Sequence, residues 1–402
     1  LVYSLAKYIG IPSLAIEPPL PTIDNGFLIF KDDKVIGAVK NWEEWIRIQQ
    51  PDLTKEKIAI MIYESNAKEG LLNIEKEIYK NIEGKGFQPI FIFGYPPSKA
   101  IKSTILDTIS LKNKGIRVAI SWFYKFPDSD VEKTLPLLDI PLINAIDIYG
   151  YPIDEWQTNR KGLSSTEIAW QIAIPELAGL IQPTVVGGAY LKDGIPYKKA
   201  VASRIDRVVD RAIKLVNLQT KPNQNKKIAI LYWNYPPGKD NLGASYLDIF
   251  KSFPVILEEF GINGYNIGNY SSKLSETLQK QIKDGGRNIG KYAPGSLKDL
   301  GNQGRAVLVP IEIYREWFES LNANYRSQII EHWGKPEESD IMTISKAGKK
   351  HIVLPMVKYG NIIFMPQADR ARTQDLAALY HSQSLPPHHQ YVCQYLWLQK
   401  NV

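Results

Sequence analysis

Four runs in the first 150 residues constrain the fold of this chain more than any other feature: IAIMIY (58–63), FQPIFIF (87–93), IRVAISWF (116–123) and IPLINAI (140–146). None approaches the roughly 20 apolar residues of a membrane-spanning helix. Each is apolar at successive positions, whereas a strand with one wet face alternates apolar and polar side chains. Such strands must be covered on both faces. Helical stretches near 68–84, 98–113 and 128–138 separate the runs. Strand and helix in alternation give a mostly parallel sheet between two helical layers.

The segment AVASRIDRVVDRAIKLVNLQ (200–219) places Val201, Ile205, Val208, Ala212, Ile213 and Val216 on one helical face, with charged residues opposite. TKPNQNKK (220–227) then reads as a linker, polar and without periodicity. Beyond it the pattern restarts. IAILYW (228–233), GYNI (264–267), AVLVP (306–310) and IIFMPQ (362–367) read as strands, and 245–261 and a stretch near 311–321 as helices. The expected class is therefore α/β, with two three-layer doubly wound units of Rossmann or flavodoxin-like type and mostly parallel sheets. Residues 1–55 are expected as an N-terminal extension on the first unit, 56–219 as the first domain, and 228–402 as a second domain incomplete at its C-terminus.

A hydrophobic share of 44% with 23% charged residues suits a globular protein with real cores. Basic residues exceed acidic ones, 49 to 42, but the lysines are scattered through KDDK (31–34), KEK (55–57), NKK (225–227) and GKK (348–350). No basic cluster is interleaved with aromatics, so nucleic acid is not an expected partner, and a small anionic ligand is weakly favoured. Cys393 stands alone, which excludes an internal disulfide and a zinc knuckle and points to core packing. A reducing, cytoplasmic setting follows as the expectation. The opening LVYSLAKYIG has no cleavage-like pattern and begins with leucine, as a piece of a longer or processed product would.

Four stretches could carry chemistry. YWNYPPGKDNLGASYLDIF (232–250) sets prolines and glycines between strand and helix, a ligand loop facing a helix N-terminus or a plain turn. It lacks the Gly-Lys-Ser/Thr end of a phosphate loop and the glycine spacing of a dinucleotide fingerprint. IPELAGLIQP (174–183) holds Glu176 just after Pro175 in apolar surroundings. It reads as a proton-transferring carboxyl of raised pKa or as an exposed residue of a helix's first turn. RNIGKYAPGSLKDL (287–300) carries Lys291 and Tyr292 in a loop that could close over a ligand or simply cross the surface. SLPPHHQYVCQYLWLQ (384–399) sets His388 beside His389; all five histidines fall between His332 and His389. Neighbouring histidines diverge by about 100° on a helix and cannot share one metal, since the usual helical pair is i, i+4. One of them could still be a base or one ligand among several. Pro386 and Pro387 suit a helix start, and local physics favours a structural role.

The order of these blocks resembles the large, tetrapyrrole-binding subunit of the cobaltochelatase and magnesium-chelatase family, its cobalt branch above all. The similar stretches are GLSSTEIAWQIAIPELAGLIQP (162–183), NYPPGKDNLGASYLDIFKSF (234–253), NIGKYAPGSL (288–297), VPIEIYREWFESL (309–321), HWGKPEES (332–339), YGNIIFMPQ (359–367) and LYHSQSLPPHHQYVCQYLWL (379–398). TNRKGL (158–163) and QADRART (367–373) depart from the family pattern. The resemblance implies insertion of a divalent metal substrate, cobalt or magnesium, into a corrin or porphyrin. It implies ATP turnover by a separate AAA-type ATPase subunit and a further subunit with a metal-ion-adhesion module. It casts Glu176 and His389 as proton acceptors or transient metal contacts. It sets Asn241, Gly243, Lys291 and Tyr292 against the macrocycle, with Gln367 and His388 lining the same cleft between the two units. Two alternatives remain: a non-catalytic module that binds a tetrapyrrole or a partner, and a two-domain sugar-nucleotide transferase.

Overall fold

Along the strand Lys57–Tyr63, Ile58, Ile60 and Ile62 enter one apolar layer while Ala59 and Met61 enter the other. That two-sided burial is what the continuous apolar runs required. The computed structural model describes residues 8–9, 23–69, 72–102, 111, 114–126, 128–159, 162–192, 195–234, 242–243, 246–285, 288, 294–371, 382 and 384–402. The chain divides into two compact units, Leu1–Thr220 and Lys221–Val402, so the boundary opens the polar stretch 220–227.

In the first unit eight strands form one sheet: β1 (Gly26–Lys31), β2 (Lys34–Val39), β3 (Lys57–Tyr63), β4 (Gln88–Gly94), β5 (Ile116–Ser121), β6 (Leu142–Ile148), β7 (Ile181–Lys192) and β8 (Ile195–Ala200). Their order is β2-β1-β4-β3-β5-β6-β7-β8. The five central strands, β4-β3-β5-β6-β7, pair in parallel. The hairpin β1–β2 and the strand β8 close the two edges antiparallel. The parallel part has the doubly wound order in which the chain reverses direction beside its first strand. The switch lies between β3 and β5, where such sheets leave a crevice outside the strand ends.

Helices α1 (Trp42–Gln49), α2 (Asn73–Gly84) and α3 (Ala202–Thr220) cover this sheet. Ile74, Ile78 and Ile82 of α2 pack with Ile205, Val208 and Val216 of α3 on one face, and Trp45 of α1 joins the other. Fully burying such side chains contributes roughly 1.5–3 kcal/mol each. Residues 26–49 thus supply two strands and a helix to the unit, elements the sequence reading did not assign.

Gly187 and Gly188 let β7 lie close against its neighbours. A Cβ on Gly188 would stand 2.7 Å from the Ile148 carbonyl oxygen, and one on Gly187 would stand 2.4 Å from that of Lys199. The β6–β7 register slips between Ile146 and Asp147, a bulge of the kind that re-aims side chains beside functional sites.

The second unit holds β9 (Ile228–Asn234), β10 (Leu242–Gly243), β11 (Ala306–Pro310), β12 (Thr343–Lys346), β13 (Lys349–Pro355), β14 (Val357–Tyr359) and β15 (Ile362–Pro366). They make two sheets, ordered β10-β9-β15-β14 and β11-β13-β12. The α/β class holds here too, but among the described residues parallel pairing is confined to β9 and β15. The hairpins β12–β13 and β14–β15 join strands through short connections, which antiparallel strands permit and parallel ones do not. Ile363 and Met365 of β15 face one core with Val309, Phe318 and Cys393; Ile362 and Phe364 face another with Phe253 and Leu257.

The helices of this unit include α4 (Ile249–Ile262), α5 (Ser275–Gly285), α6 (Ile311–Glu319), α7 (Ala323–Trp333) and α8 (His389–Asn401), with a further helix over Pro294–Asn302. GYNI (264–267) is not a strand. Gly264 and Gly268 take positive φ, and the Asn266 side chain accepts the Gly268 N–H, so turn chemistry wins over apolar content.

Candidate functional site

At the carboxyl ends of the central strands in the first unit, aromatic rings form a continuous open strip. Tyr63, the last residue of β3, lies 5.9 Å from Tyr95 and 6.2 Å from Phe126, centroid to centroid. Phe126 stacks on Trp170 at 6.1 Å with planes 10° apart, and Tyr149 follows at 5.5 Å from Trp170. Tyr95, Phe126 and Tyr149 are 49%, 52% and 49% exposed, although each packs against another ring. The strip spans the switch between β3 and β5.

Beneath the rings lies a buried charged cluster. Asp147, on β6, accepts from Trp122 Nε1 at 3.0 Å and from Lys198 Nζ at 2.9 Å; the Tyr149 hydroxyl lies 3.4 Å from its Oδ2. Burial pushes this carboxyl upward, but the Lys198 and Lys125 charges outweigh it and hold Asp147 below the usual carboxylate range. Lys125 is 2% exposed, and its ammonium donates to Gln171 Oε1 at 3.0 Å and sits 5.7 Å from the Trp170 ring centroid. Desolvation lowers its pKa to about 8. Glu75, on α2, is fully buried with Asn66 Nδ2 3.3 Å from Oε1. Burial first, and then the Asp147 charge, raise its pKa to about 7. Desolvation likewise raises Tyr149 to about 12.

The helical stretch 165–177 holds this cluster in place. Ser164 and Glu167 form a reciprocal cap, and Glu167 also accepts the backbone N–H groups of Tyr149 and Gly150. Residues Ala169–Ala173 then widen into a π-turn. Pro175 has no N–H for the Gln171 carbonyl, and a regular helix would press its ring on that group. The wider turn relieves the clash, and Asn144 Nδ2 takes the freed carbonyl at 2.6 Å. Gln171 is thereby fixed to bridge Lys125 and the Asp147 backbone, with Nε2 donating to the Asp147 carbonyl at 2.7 Å.

The sequence-derived site residues separate into groups. Glu176 is exposed on the helical turn that leads to the amino end of β7, the end of the parallel strands opposite the aromatic strip. Its side chain is therefore on the surface and not in apolar surroundings. In the second unit, Gly243 pairs with Trp233 beside the end of β9, and Gln367 N–H donates to the Tyr232 carbonyl at 2.7 Å. Both thus flank the carboxyl end of β9. Asn288 joins them, donating to the Gln367 carbonyl at 2.6 Å. Asp369 lies alongside, and burial raises its pKa to about 6 against the opposing Asn288 bond. Tyr395 donates to Gln367 Oε1 at 2.8 Å. Asn241, Lys291 and Tyr292 lie outside the described residues.

His388 caps α8, its Nδ1 accepting the Gln390 N–H at 3.2 Å. His389 is completely buried between Tyr314, 2.8 Å from Nδ1, and the Gly334 carbonyl, 3.0 Å from Nε2. A carbonyl can only accept, so Nε2 carries the proton and Nδ1 accepts from the Tyr314 hydroxyl. Both nitrogens are engaged, which gives His389 a packing role here in place of the expected metal contact. Among the described residues no three His, Cys, Asp or Glu side chains gather as a metal site.

Sequence reasoning passed over Glu75, Lys125, Asp147 and Lys198. Two of them left a trace: Asp147 interrupts the apolar run of β6, and Glu75 falls on the buried stripe of α2 beside Ile74 and Ile78. Trp170 and Gln171 lie inside a block singled out for resemblance, yet nothing local marks them.

A profile described as CobN/Magnesium Chelatase matches residues 1–402. An uncharacterised protein of Methanocaldococcus jannaschii is 26% identical over 99% of this chain and 33% of its own length. The magnesium-chelatase subunit ChlH of Oryza sativa subsp. japonica is 28% identical over 66% of this chain and 18% of its own. The catalytic subunit of cobaltochelatase from Mycobacterium tuberculosis shares the fold, with a TM-score of 0.69 at 21% identity over 98% of this chain and 31% of that one. The chain thus spans a third or less of these three proteins. No helix among the described residues is long and apolar enough to cross a membrane. With its profile matched from first residue to last, this chain belongs to the CobN/magnesium chelatase family.

Proposed function

We propose that this chain is the tetrapyrrole-binding part of a metal-chelatase subunit and that the macrocycle lies flat on the strip formed by Tyr95, Tyr63, Phe126, Trp170 and Tyr149. The observation that carries the reading is the exposure of these packed rings at the switch of a doubly wound sheet. A flat conjugated ring gains dispersion and stacking on such a surface.

Insertion of a divalent metal, cobalt in this reading, requires three events. Pyrrole protons leave, the ion sheds water, and the ring bends towards it. The chain contributes the platform on which the ring lies. ATP is turned over by an AAA-type partner subunit, with a metal-ion-adhesion subunit completing the assembly. Glu176, near the amino ends of the strands, takes no part in seating the ring.

Absorbance titration of the chain with a metal-free porphyrin and with a cobalt-free corrinoid tests this. Phe126→Ala with Trp170→Ala removes two stacking partners worth about 1–3 kcal/mol each, so affinity falls at least about tenfold. Glu176→Gln leaves it unchanged. Wild-type affinity in the double variant would sink the reading.

A further inference from the structure

A cavity of about 430 Å³ opens between α6, α7 and the turn that follows them. Helical spacing explains its walls. Arg315, Phe318 and Glu319 share one face of α6, and Ala323, Arg326, Ser327 and Ile330 share one face of α7. Lys335, Pro336 and Glu337 close the end.

The charges on these walls do not cancel. Arg315 pairs with Glu337 at 3.0 Å and is thereby neutralised. Arg326 makes no side-chain hydrogen bond or ion pair among the described residues, and its buried Nε is without an acceptor. Lys335 forms no ion pair among them either. A desolvated donor left without an acceptor is costly, and a guanidinium fork matches a carboxylate in shape. The start of α7 at Ala323 adds its N-terminal partial charge to the same side. Phe318, Ala323 and Ile330 make the remaining wall apolar. Glu319 and Glu337 disfavour a second negative charge.

We propose that this cavity binds a small organic monocarboxylate, its carboxylate on Arg326 and Lys335 and its apolar stem against Phe318, Ala323 and Ile330. The volume falls at the lower end of the range for small-molecule sites. The cavity also reads out to the core: the Phe318 ring packs 5.2 Å from that of His389, and Gly334, next to Lys335, holds His389 Nε2.

Calorimetric titration of the chain with three probes decides the matter. Hexanoate carries both features, hexanamide only the stem, and inorganic phosphate only the charge. Hexanoate is expected to bind at least about tenfold more tightly than either control, and to shift the His389 imidazole resonances. Arg326→Gln and Ser327→Trp, the second placing an indole in the cavity from an exposed position, are each expected to weaken hexanoate at least about tenfold. If Arg326→Gln melts early, Ser327→Trp decides alone. Phosphate or hexanamide binding as tightly as hexanoate, no hexanoate binding, or wild-type affinity in a folded variant overturns the proposal.

Discussion

His388 and His389 are both buried, yet they meet different partners because a helix starts between them. His388 is extended, with ψ 171°, so its imidazole folds back on the α8 N-terminus; His389 takes the first helical position and points into the core. Burial lowers the His389 pKa, outweighing the Gly334 bond that favours the proton. The unfolded chain therefore binds this proton more readily than the folded one. Its stabilising contribution is complete above the unfolded pKa of 6.5 and is lost as pH falls through the lower folded value. His389→Ala orphans the Tyr314 hydroxyl and the Gly334 carbonyl, and should cost the second unit about 2–4 kcal/mol in urea unfolding. The same variant should flatten the loss of stability below pH 6.5. The pair of histidines was legible in the sequence. Which one would meet Tyr314 was not, because it depends on where the first helical residue falls.

At the scale of elements, the stretch 165–177 shows how one proline sets a site. The sequence announces that a helix containing Pro175 cannot be regular. It does not announce that the surplus turn will sit at Ala169–Ala173, or that Asn144 from β6 will take the Gln171 carbonyl. Asn144→Ala leaves that buried carbonyl without its donor. We expect a loss of about 1–3 kcal/mol in chemical unfolding of the first unit. Loosening Gln171 frees Lys125, so the near-ultraviolet circular dichroism of Trp170 should change as well. The continuous runs of β3 to β6 stood out in the sequence because double burial writes itself as unbroken apolar residues. The strands β1, β2, β12 and β13 were passed over; polar positions hide the last three among turns, and β1 is a short apolar run inside the stretch read as an N-terminal extension.

At the scale of the molecule, the first unit gathers Glu75, Lys125, Asp147, Gln171 and Lys198 from separate elements into one buried cluster. The Glu75 carboxyl is raised from 4.5 to about 7, so the folded state holds a proton that the unfolded state releases. Stability from this group is complete below pH 4.5 and is lost as pH rises through about 7. Glu75→Gln keeps the shape and removes the charge. It should stabilise the protein at pH 8 by about 1–3 kcal/mol relative to the wild type and abolish the decline between pH 4.5 and 7 in thermal unfolding. An unchanged decline would mean that other groups set it. By itself the sequence determined the α/β class, the polar break at 220–227 and the apolar strands, because burial on two faces and helical periodicity act on residues near one another in the chain. Only the tertiary structure decided which aromatics share a surface, that Glu176 and the strip lie at opposite ends of the parallel strands, and that a lysine lies buried beneath Trp170. Those outcomes depend on strand order and register, which bring distant residues together through contacts that no local pattern encodes.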